Sequence, residues 1–285
     1  MNPTTGLDAA ALARLCRERR IVREAVWLPC VASTQDEARR RARAGGPGVL
    51  VVAGEQSHGR GRRGRSWWSP AARGLYLSLA LAPRRGRAEW AFLSQLAGLA
   101  LRQAIRETAG IECGIKWPND LLAEGQKIAG ILAEAAAEPW VVLGVGVNLS
   151  QDQTEFPDEL QGKATSIAIE RLRDGSTSGR VQVGAAGLLD AYLRAMESWL
   201  ERFELSGPAG CLDELRSASL LLGRQVTIVP ASGRDPLRGR VVDLGPRGEL
   251  ILEPLCAGAE AVRLAVVSGE IVAIEPPLWD AGGES

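Results

Sequence analysis

The final segment of the chain differs in character from everything before it. Residues 224–274 are a succession of short apolar and β-branched runs with glycine turns about every ten residues, a pattern typical of a small all-β barrel. The preceding part mixes strand-like runs with two long segments, 88–109 and 180–205, whose apolar residues have helical spacing. The sequence therefore predicts a mixed α/β body followed by a β-barrel.

Shorter elements complete this outline. The strand-like runs of the body lie at 25–30, 48–56, 75–83, 111–118, 127–136 and 140–149. Shorter helices are predicted from Asp8 to about Arg19, over 33–45 and up to Ser217, and Thr34 with Glu37 has the spacing of a capping box. We expect the last two strands to form a hairpin across Glu138–Pro139. The polar stretch 150–179 is expected to be a loop of some mobility, with room for a short helix.

These elements divide the chain into four parts. We place an N-terminal helical extension at 1–24, the body at 25–217, the β-barrel at 218–277 and a tail at 278–285.

The composition argues against several classes of protein. Lysine and arginine together number 34, as do aspartate and glutamate, so no global field would collect nucleic acid or hold the chain on a membrane. Five scattered cysteines and a single histidine, His58, argue against a disulfide framework, a structural zinc site and a Ser-His-Asp triad. No apolar stretch is long enough to span a bilayer, and the N-terminus lacks a secretory signal pattern. We therefore expect a cytoplasmic protein.

Against this neutral background, residues 59–65 (GRGRRGR) carry four arginines; we call this segment the arginine loop. It could be a solvated turn, a nucleic-acid contact, or a loop that closes over a phosphate-bearing small molecule. The last interpretation is favoured because the loop follows a buried-type strand. Its glycines would let backbone N–H groups approach an anion, while the arginines supply charge-assisted donors.

Two lysine motifs follow. KWPND (116–120) is either a strand-ending turn or a ligand site in which Lys116 meets a phosphate and Asp120 meets a metal ion or an incoming amine. Lys127, eleven residues after Lys116, is either a strand-edge charge or a residue that returns to the same pocket on a hairpin.

Several single residues also have a structural and a functional interpretation. Ser33 and Thr34 are helix-capping types, yet a helix N-terminus also offers free N–H groups to a ligand. Trp67 is either a core residue or a ring that stacks on a base. Asn148, which ends the strand GVGVN, is a turn residue or a polar contact at a pocket mouth, and His58 has no catalytic partner visible in the sequence.

Taken in order, these stretches resemble the biotin–protein ligases (biotin–[acetyl-CoA-carboxylase] ligases). The matching motifs are ST (33–34), EQ (55–56), GRGRRGR with Trp67, LYLSL (75–79), KWPNDLL (116–122), KIAGIL (127–132) and GVGVNL (144–149). No single motif is decisive, but the ordered set is specific. The resemblance implies an α+β fold, in which a mixed sheet with packed helices, of the class II synthetase-like type, is followed by a small SH3-like β-barrel.

The resemblance also implies a two-step reaction with ATP and biotin as substrates and with Mg²⁺. The carboxylate of biotin attacks the α-phosphate of ATP, which gives biotinyl-5′-AMP and pyrophosphate. The ε-amine of one lysine on a biotin carboxyl carrier protein then attacks the mixed anhydride and releases AMP. Two anions meet in the first step, so cationic donors are needed to hold the developing charge.

By resemblance, the biotin-ring contacts fall on Ser33, Thr34, Gln56 and Gly59. The arginine loop would fold over biotin and the adenylate phosphate through Arg60, Gly61 and Arg62. Such a lid keeps a hydrolysable anhydride from water.

The same resemblance implies the catalytic set. Lys127 would meet the biotin carboxyl and the α-phosphate, with Arg62 and Lys116 assisting at phosphates. Asp120 would orient the acceptor lysine or Mg²⁺. The remaining ligand contacts, largely on the nucleotide side, are Trp67, Asn119, Gly130 and Asn148.

The chain departs from the family pattern at two points. Gln35 follows the Ser-Thr pair where the family usually has asparagine, and Ser57-His58 precedes the loop in place of a pair such as Thr-Ala. Only ~25 residues precede the body, too few for the winged helix-turn-helix of the bifunctional members. The resemblance is therefore to the monofunctional ligases, with no DNA or membrane partner and a monomer or homodimer expected.

Three alternatives stay open. They are a lipoate–protein ligase or octanoyltransferase of the related fold, a nucleic-acid-binding regulator, and a protein that binds biotin or its adenylate without transferring it. Because three glycines and four like charges oppose a fixed conformation, we also expect residues 58–66 to be disordered without ligand.

Overall fold

A computed structural model describes residues 6–135, 139–175, 184–231, 235–255 and 262–278. Over these ranges the helices are α1 (Ala9–Cys16), α2 (Thr34–Gly45), α3 (Leu93–Ala109), α4 (Ile167–Arg173), α5 (Ala185–Ser206) and α6 (Leu212–Ala218). The strands of the body are β1 (Glu24–Leu28), β2 (Val49–Ala53), β3 (Gly74–Leu81), β4 (Gly114–Lys116), β5 (Asp120–Ala123), β6 (Gln126–Ala135) and β7 (Val141–Asn148). Those of the final segment are β8 (Gln225–Pro230), β9 (Leu237–Leu244), β10 (Leu250–Pro254), β11 (Leu264–Val266) and β12 (Gly269–Glu275).

The body is built on a seven-stranded mixed sheet. Its strand order is β1-β2-β3-β7-β6-β5-β4. The β1–β2 pair is parallel and every other neighbouring pair is antiparallel. The predicted mixed sheet is therefore confirmed.

Helices cover both faces of this sheet. β2 reads VLVVA and is buried along its whole length, because Leu50 and Val52 belong to the main core while Val49 and Val51 pack with α2. The main core also takes the apolar stripes of α3 and α5. On the opposite face, α2 packs through Ala38 and Ala42, and beside α2 the sheet borders a cavity.

The final segment forms a second sheet of five antiparallel strands, in the order β11-β10-β9-β8-β12. Its last strand pairs back onto its first. Among the strands that the structure describes, β11 and β12 are not paired with each other. The antiparallel sheet is thus confirmed, whereas its closure into a barrel is not seen in these strands.

A buried pair of hydrogen bonds fastens the second sheet to the body. The carbonyl of Gly248 accepts from Trp117 Nε1 at 2.9 Å and from Gln95 Nε2 at 2.8 Å. Gly248 has φ +81°, and a Cβ there would lie 2.5 Å from Gln95 Oε1, so only glycine fits. Because Trp117 belongs to KWPND, the site hairpin and the second sheet share this anchor.

Some predicted boundaries were wrong. α1 ends at Cys16 and not near Arg19. The expected cap at Ser33 is confirmed, since its side chain accepts from the backbone N–H of Gln35 at the start of α2. The Thr34–Glu37 capping box does not form, because the Glu37 carboxylate is taken by Arg40 and Arg41. The run 111–118 contains only the short strand β4, and the sequence pattern missed β5 altogether.

Other expectations were met or lie outside the described ranges. α4 is a short helix inside the expected 150–179 loop, which the structure describes up to residue 175. β6 and β7 form the predicted antiparallel pair. Glu138 of the hairpin turn, the expected mobility at 176–179 and the start of the long helix at 180 fall outside the described residues. Among the described helices, none combines the length and apolarity that crossing a bilayer requires.

Candidate active site

A cavity of about 510 Å³ lies over the α2-bearing face of the seven-stranded sheet. Four segments wall it: the arginine loop, the KWPND turn, residues 160–164 and the start of β12. The cavity therefore draws on both sheets. Its volume is in the range of small-molecule sites.

The arginine loop is a small hairpin. Trp67 N donates to Gly59 O at 2.8 Å, and Gly61 N donates to Arg65 O at 2.7 Å. Arg63 and Gly64 turn the tip with φ values of 56° and 74°. A Cβ on Gly59 would lie 2.3 Å from Trp67 O, so this glycine allows the two arms to approach.

Carboxylates from other elements hold three of the four loop arginines. Arg60 pairs with Asp36 of α2 and with Glu134 of β6. Arg63 and Arg65 both pair with Glu270 of β12. These contacts offset the repulsion on which the expectation of a disordered free loop rested, and that expectation stays a prediction.

Arg62 differs from its neighbours. It is half-buried, and its Nη1 donates to Asn119 Oδ1 at 3.0 Å. Among the ion pairs of the described residues, Arg62 takes part in none. Burial lowers the pKa of its guanidinium below the ordinary value of an arginine. Arg62 thus keeps an uncommitted cation at the cavity wall.

KWPND is the turn of the β4–β5 hairpin. Lys116 and Asp120 are partners in the antiparallel register, so their side chains leave on the same face. Asn119 ties the turn to β6, since its Nδ2 donates to Ile131 O and its own carbonyl accepts from Ile131 N, both at 2.9 Å. Burial lowers the pKa of Lys116 from 10.5, although the nearby Asp120 acts in the opposite direction.

A β-bulge brings Lys127 to the cavity. The β5–β6 register pairs Leu121 with Ala129 and Leu122 with Lys127, which leaves Ile128 as the extra residue. Side chains alternate along a strand, and one inserted residue reverses the alternation. Ile128 therefore packs in the core, fully buried, while Lys127 points to the cavity and pairs with Asp120 at 2.7 Å.

Glycines on β6 and β7 make a floor for Trp67. A Cβ on Gly146 would lie 2.4 Å from Trp67 Nε1, and one on Gly130 would lie 3.0 Å from Trp67 Cζ3. The indole therefore lies directly against the sheet. Lys127 Nζ is 5.3 Å from the Trp67 ring centroid, close enough for a cation–π contact.

Neutral polar side chains line the end of the cavity beside α2. Thr34 N and Oγ1 approach Gln56 Oε1 at 2.9 and 3.0 Å, and Thr34 Oγ1 is 2.8 Å from Ser78 Oγ. Gln35 lies behind them, where Ser78 Oγ donates to its Oε1 at 3.0 Å and its Nε2 donates to Val142 O at 3.1 Å. Ser33, Thr34, Gln35 and Ser78 are buried.

Asn148 is the last residue of β7 and lies at the other end of the cavity. Its Nδ2 donates to Thr165 O at 2.9 Å, and its Oδ1 accepts from Gln151 Nε2 at 3.3 Å. The segment around Thr165 also pairs with Lys127, since Lys127 N donates to Lys163 O at 2.8 Å. Asn148 therefore fixes the wall that stands beside Lys127.

The structure brings nearly all of the sequence-predicted site residues together. Those that line the cavity are Ser33, Thr34, Gln56, Arg60, Gly61, Arg62, Trp67, Lys116, Asn119, Asp120, Lys127, Gly130 and Asn148. Gly59 lies behind the loop hairpin and does not line it. His58 is exposed outside the cavity and contacts Ser57 at 2.9 Å.

Sequence reasoning missed several lining residues. They are Gln35, Ser78, Gly144, Gly146, Phe156, Lys163 and Glu270. The alternating glycines of GVGVN were a readable signal, because glycine inside a strand marks a close approach. No comparable signal marked Glu270, which is far away in sequence.

The site offers few ligands for a metal. Among the described residues, no three of the His, Cys, Asp and Glu side chains form a metal-binding group. Mg²⁺ is commonly held by one or two carboxylates together with substrate phosphates and water. Asp120 fits that pattern as a single carboxylate at the cavity wall.

Known proteins are similar to this chain in sequence and in fold. The model of the biotin/lipoate A/B protein ligase family matches residues 27–148. A biotin–[acetyl-CoA-carboxylase] ligase of Paracoccus denitrificans is 42% identical over 249 residues, covering 82% of this chain and 96% of its own. One from Mycobacterium tuberculosis is 33% identical over 254 residues, covering 84% of this chain and 85% of its own. A biotin protein ligase from Aquifex aeolicus in complex with biotin and ATP aligns with a TM-score of 0.70 at 28% identity, covering 88% of this chain and 98% of its own.

Proposed function

The chain belongs to the biotin/lipoate A/B protein ligase family, and from that premise we propose that it is an ATP-dependent biotin–protein ligase. It joins biotin to AMP and passes the biotinyl group to a lysine of a biotin carboxyl carrier protein. Relatives that align over most of both chains carry the name biotin–[acetyl-CoA-carboxylase] ligase.

The observation that carries this proposal is the distribution of polarity along β7. Gly144 lies beneath the neutral cluster of Gln35 and Ser78, Gly146 lies beneath Trp67, and Asn148 lies beside Lys127. These positions span about 13 Å at the usual strand rise. A ligand with a neutral hydrogen-bonding head and an anionic end, as biotin has, matches that order.

In the first step, the cations hold the negative charge of the reacting groups. Lys127, Arg62 and Lys116 all line the cavity, and each offers donors to the biotin carboxylate or to the phosphate oxygens. The carboxylate oxygen bonds to the α-phosphorus as the bond to pyrophosphate breaks. Donors that are in place before the reaction stabilise this transition state without reorganisation.

In the second step, the neutral amine of the carrier lysine attacks the carbonyl carbon of biotinyl-5′-AMP and the C–N bond forms. AMP leaves with the electron pair of the C–O bond, and the amine nitrogen gives up one proton to water. To Asp120, which pairs with Lys127, we assign the orientation of the incoming amine. Mg²⁺ would be bound by the ATP phosphates with Asp120 as a protein ligand, and it would supply further charge neutralisation there. Trp67 and the arginine loop keep water from the anhydride.

The same proposal covers the final segment. We assign residues 218–277 to a small SH3-like barrel that follows the catalytic body of 25–217. Two features support closure: β12 pairs back onto β8, and register shifts occur within the β10–β9 and β12–β8 pairs. Bulges of this kind curl a sheet.

The test is incubation with ATP, Mg²⁺, labelled biotin and an isolated biotin carboxyl carrier domain. The parent protein is expected to form biotinyl-5′-AMP and to label the carrier only when ATP is present. Lys127→Ala is expected to slow adenylate formation at least about 100-fold, because it removes a donor aimed at the transition state. Circular dichroism and urea unfolding of the variant check that it is folded.

The outcomes separate the alternatives. Adenylate without carrier label would indicate a protein that binds and activates biotin without transferring it to that carrier. Adenylate formed from lipoate and not from biotin would replace the biotin assignment. A folded Lys127→Ala variant with the parent rate would remove Lys127 from the catalytic set.

A further inference from the structure

The arginine loop touches the second sheet at its tip. Arg63 Nη1 lies 3.2 Å from Glu270 Oε2, and Arg63 Nη2 donates to Val229 O at 3.2 Å. Arg65 pairs with the other oxygen of the same carboxylate. Glu270 and Val229 face each other in the β12–β8 register. One short stretch of the second sheet therefore holds the loop tip.

Glu270 is well placed to exert this hold. Its side chain is 34% exposed, so it is partly shielded and still free of any core role. Its neighbours Gly269 and Ile271 line the cavity with it. The carboxylate of Glu270 pairs with both Arg63 and Arg65. Because these two arginines flank Gly64, the two ion pairs hold both arms of the hairpin tip.

The ion pairs of Arg63 and Arg65 influence where the side chain of Arg62 points. Arg62 lies next to Arg63, and its guanidinium reaches Asn119 over the cavity. Without Glu270, the charges of Arg63 and Arg65 would be uncompensated. They would repel the like charge of Arg62, which is close to them in the same loop. The loop tip would then favour open conformations in which Arg62 leaves the cavity wall.

We propose that Glu270 is a positioning residue for the first step. It holds the loop tip through Arg63 and Arg65, so that Arg62 faces the cavity before any ligand arrives. The second sheet thus contributes to catalysis without touching the reacting atoms. This inference rests on the proposed function for its kinetic consequence, while the hold on the loop is a property of the protein alone.

The test compares Glu270→Gln with Glu275→Gln. Glu275 lies at the other end of β12, exposed, and pairs with Arg238 at 3.5 Å, so its variant is a matched loss of one surface carboxylate. Limited trypsin digestion, with fragments identified by mass, reports cleavage after the loop arginines in the ligand-free protein. Pyrophosphate release reports adenylate formation.

Glu270→Gln is expected to raise loop cleavage and to lower the adenylate rate, each by about three- to thirtyfold, the range that two partly exposed ion pairs give together. Most of the kinetic loss should appear in kcat, with a smaller change in the KM for biotin, because the biotin-ring contacts stay in place. Glu275→Gln should match the parent in both measurements. Glu270→Asp, which keeps the charge, should recover part of both losses.

A second pair of variants separates positioning from a general surface effect. If Glu270 acts through Arg65, the double variant Arg65→Gln with Glu270→Gln loses less than the product of the two single losses. Loop cleavage and adenylate rate within twofold of the parent in Glu270→Gln would overturn the inference. Absence of biotinyl-AMP with the parent protein would instead count against the proposed function, and the trypsin measurement would still decide whether Glu270 holds the loop.

Discussion

At the scale of single residues, glycine decides where the aromatic ring of the site lies. Gly130 and Gly146 face each other across β6 and β7, and Trp67 occupies the space that side chains there would fill. The indole also lines the cavity. An aromatic ring in the wall of a cavity is of a type that can stack on a ring of a ligand.

Gly146→Ala tests this contact. The added methyl would lie 2.4 Å from Trp67 Nε1, so the indole must move, and overpacking of this kind costs about 1–3 kcal/mol of stability. We expect the free energy of unfolding to fall by that amount and adenylate formation to slow about tenfold or more. Urea unfolding and pyrophosphate release measure the two effects.

Gly187→Ala is the matched control. Gly187 is an exposed residue within α5, and among the described residues no atom beyond the neighbouring helix backbone lies within 4 Å of the added methyl. It should leave the rate unchanged and stabilise the helix by about 0.5–1 kcal/mol. Parent-like rate and stability in Gly146→Ala would show that Trp67 does not rest on this glycine.

Gln35 shows how a departure from a family pattern can be accommodated. Its amide bridges Val142 O and Ser78 Oγ, and Ser78 Oγ in turn meets Thr34. A Cβ on Gly144 would lie 2.7 Å from Gln35 Oε1, so that glycine makes room for the longer side chain. The glutamine therefore supports the neutral end of the cavity from behind.

At the scale of elements, the KWPND hairpin serves two structures. Lys116 and Asp120 face the cavity, while Trp117 is 4% exposed and donates to Gly248 O in the turn before β10. The indole N–H of Trp117 therefore donates to the second sheet and not into the cavity. The hairpin that carries Lys116 is therefore also hydrogen-bonded to the second sheet, which contains β12 and Glu270.

Trp117→Phe removes this donor and leaves Gln95 to satisfy the carbonyl. We expect the free energy of unfolding to fall by about 1–3 kcal/mol from the lost hydrogen bond and the smaller ring. Chemical denaturation followed by circular dichroism measures the change.

Trp199→Phe serves as its comparison. Trp199 Nε1 donates to Gln103 at 3.1 Å in an exposed setting, and surface substitutions change stability by less than about 0.5 kcal/mol. Equal losses in the two variants would contradict a special role for the buried contact.

At the scale of the whole molecule, buried thiols make the free energy of unfolding depend on pH in the alkaline range. Burial raises the pKa of Cys113 from 9.0 to about 12 and the pKa values of Cys16 and Cys211 to about 11. Between these values and 9.0 the unfolded chain has released thiol protons that the folded chain still binds. The stabilisation is thus complete below pH 9 and is lost as pH rises towards 12.

The contribution of Cys113 to the free energy of unfolding should fall by about 1 kcal/mol between pH 8 and pH 10. Urea unfolding of the parent under reducing conditions should show at least this decrease, and Cys113→Ala should show a decrease smaller by that amount. Ile105→Val, a buried change in α3 without a thiol, should keep the pH dependence of the parent. An unchanged pH dependence in Cys113→Ala would contradict the assignment.

Much of this architecture was legible in the sequence, because it depends on short-range pattern. Apolar runs such as GVLVVA and WVVLGVGVNL predict buried strands, and the stripes of α3 and α5 predict helices. The glycine turns predict a small all-β barrel, of which the antiparallel strands are observed. The ordered motifs also identified the family. β5 was not predicted, because a strand of four residues directly after a turn has too few alternating apolar positions to be distinguished from the turn.

The chemistry at each position was decided only by the tertiary structure. Lys127 faces the cavity because Ile128 bulges out of the β5–β6 pairing, and a bulge depends on which strands pair, which local sequence does not encode. Glu270 meets Arg63 and Arg65 across more than two hundred residues because the two sheets dock through Gly248. The sequence by itself determined the elements and the residue types available for catalysis, since those follow from periodicity and composition. Which side chains meet was settled by strand register and by sheet docking, since those depend on contacts between residues far apart in the chain.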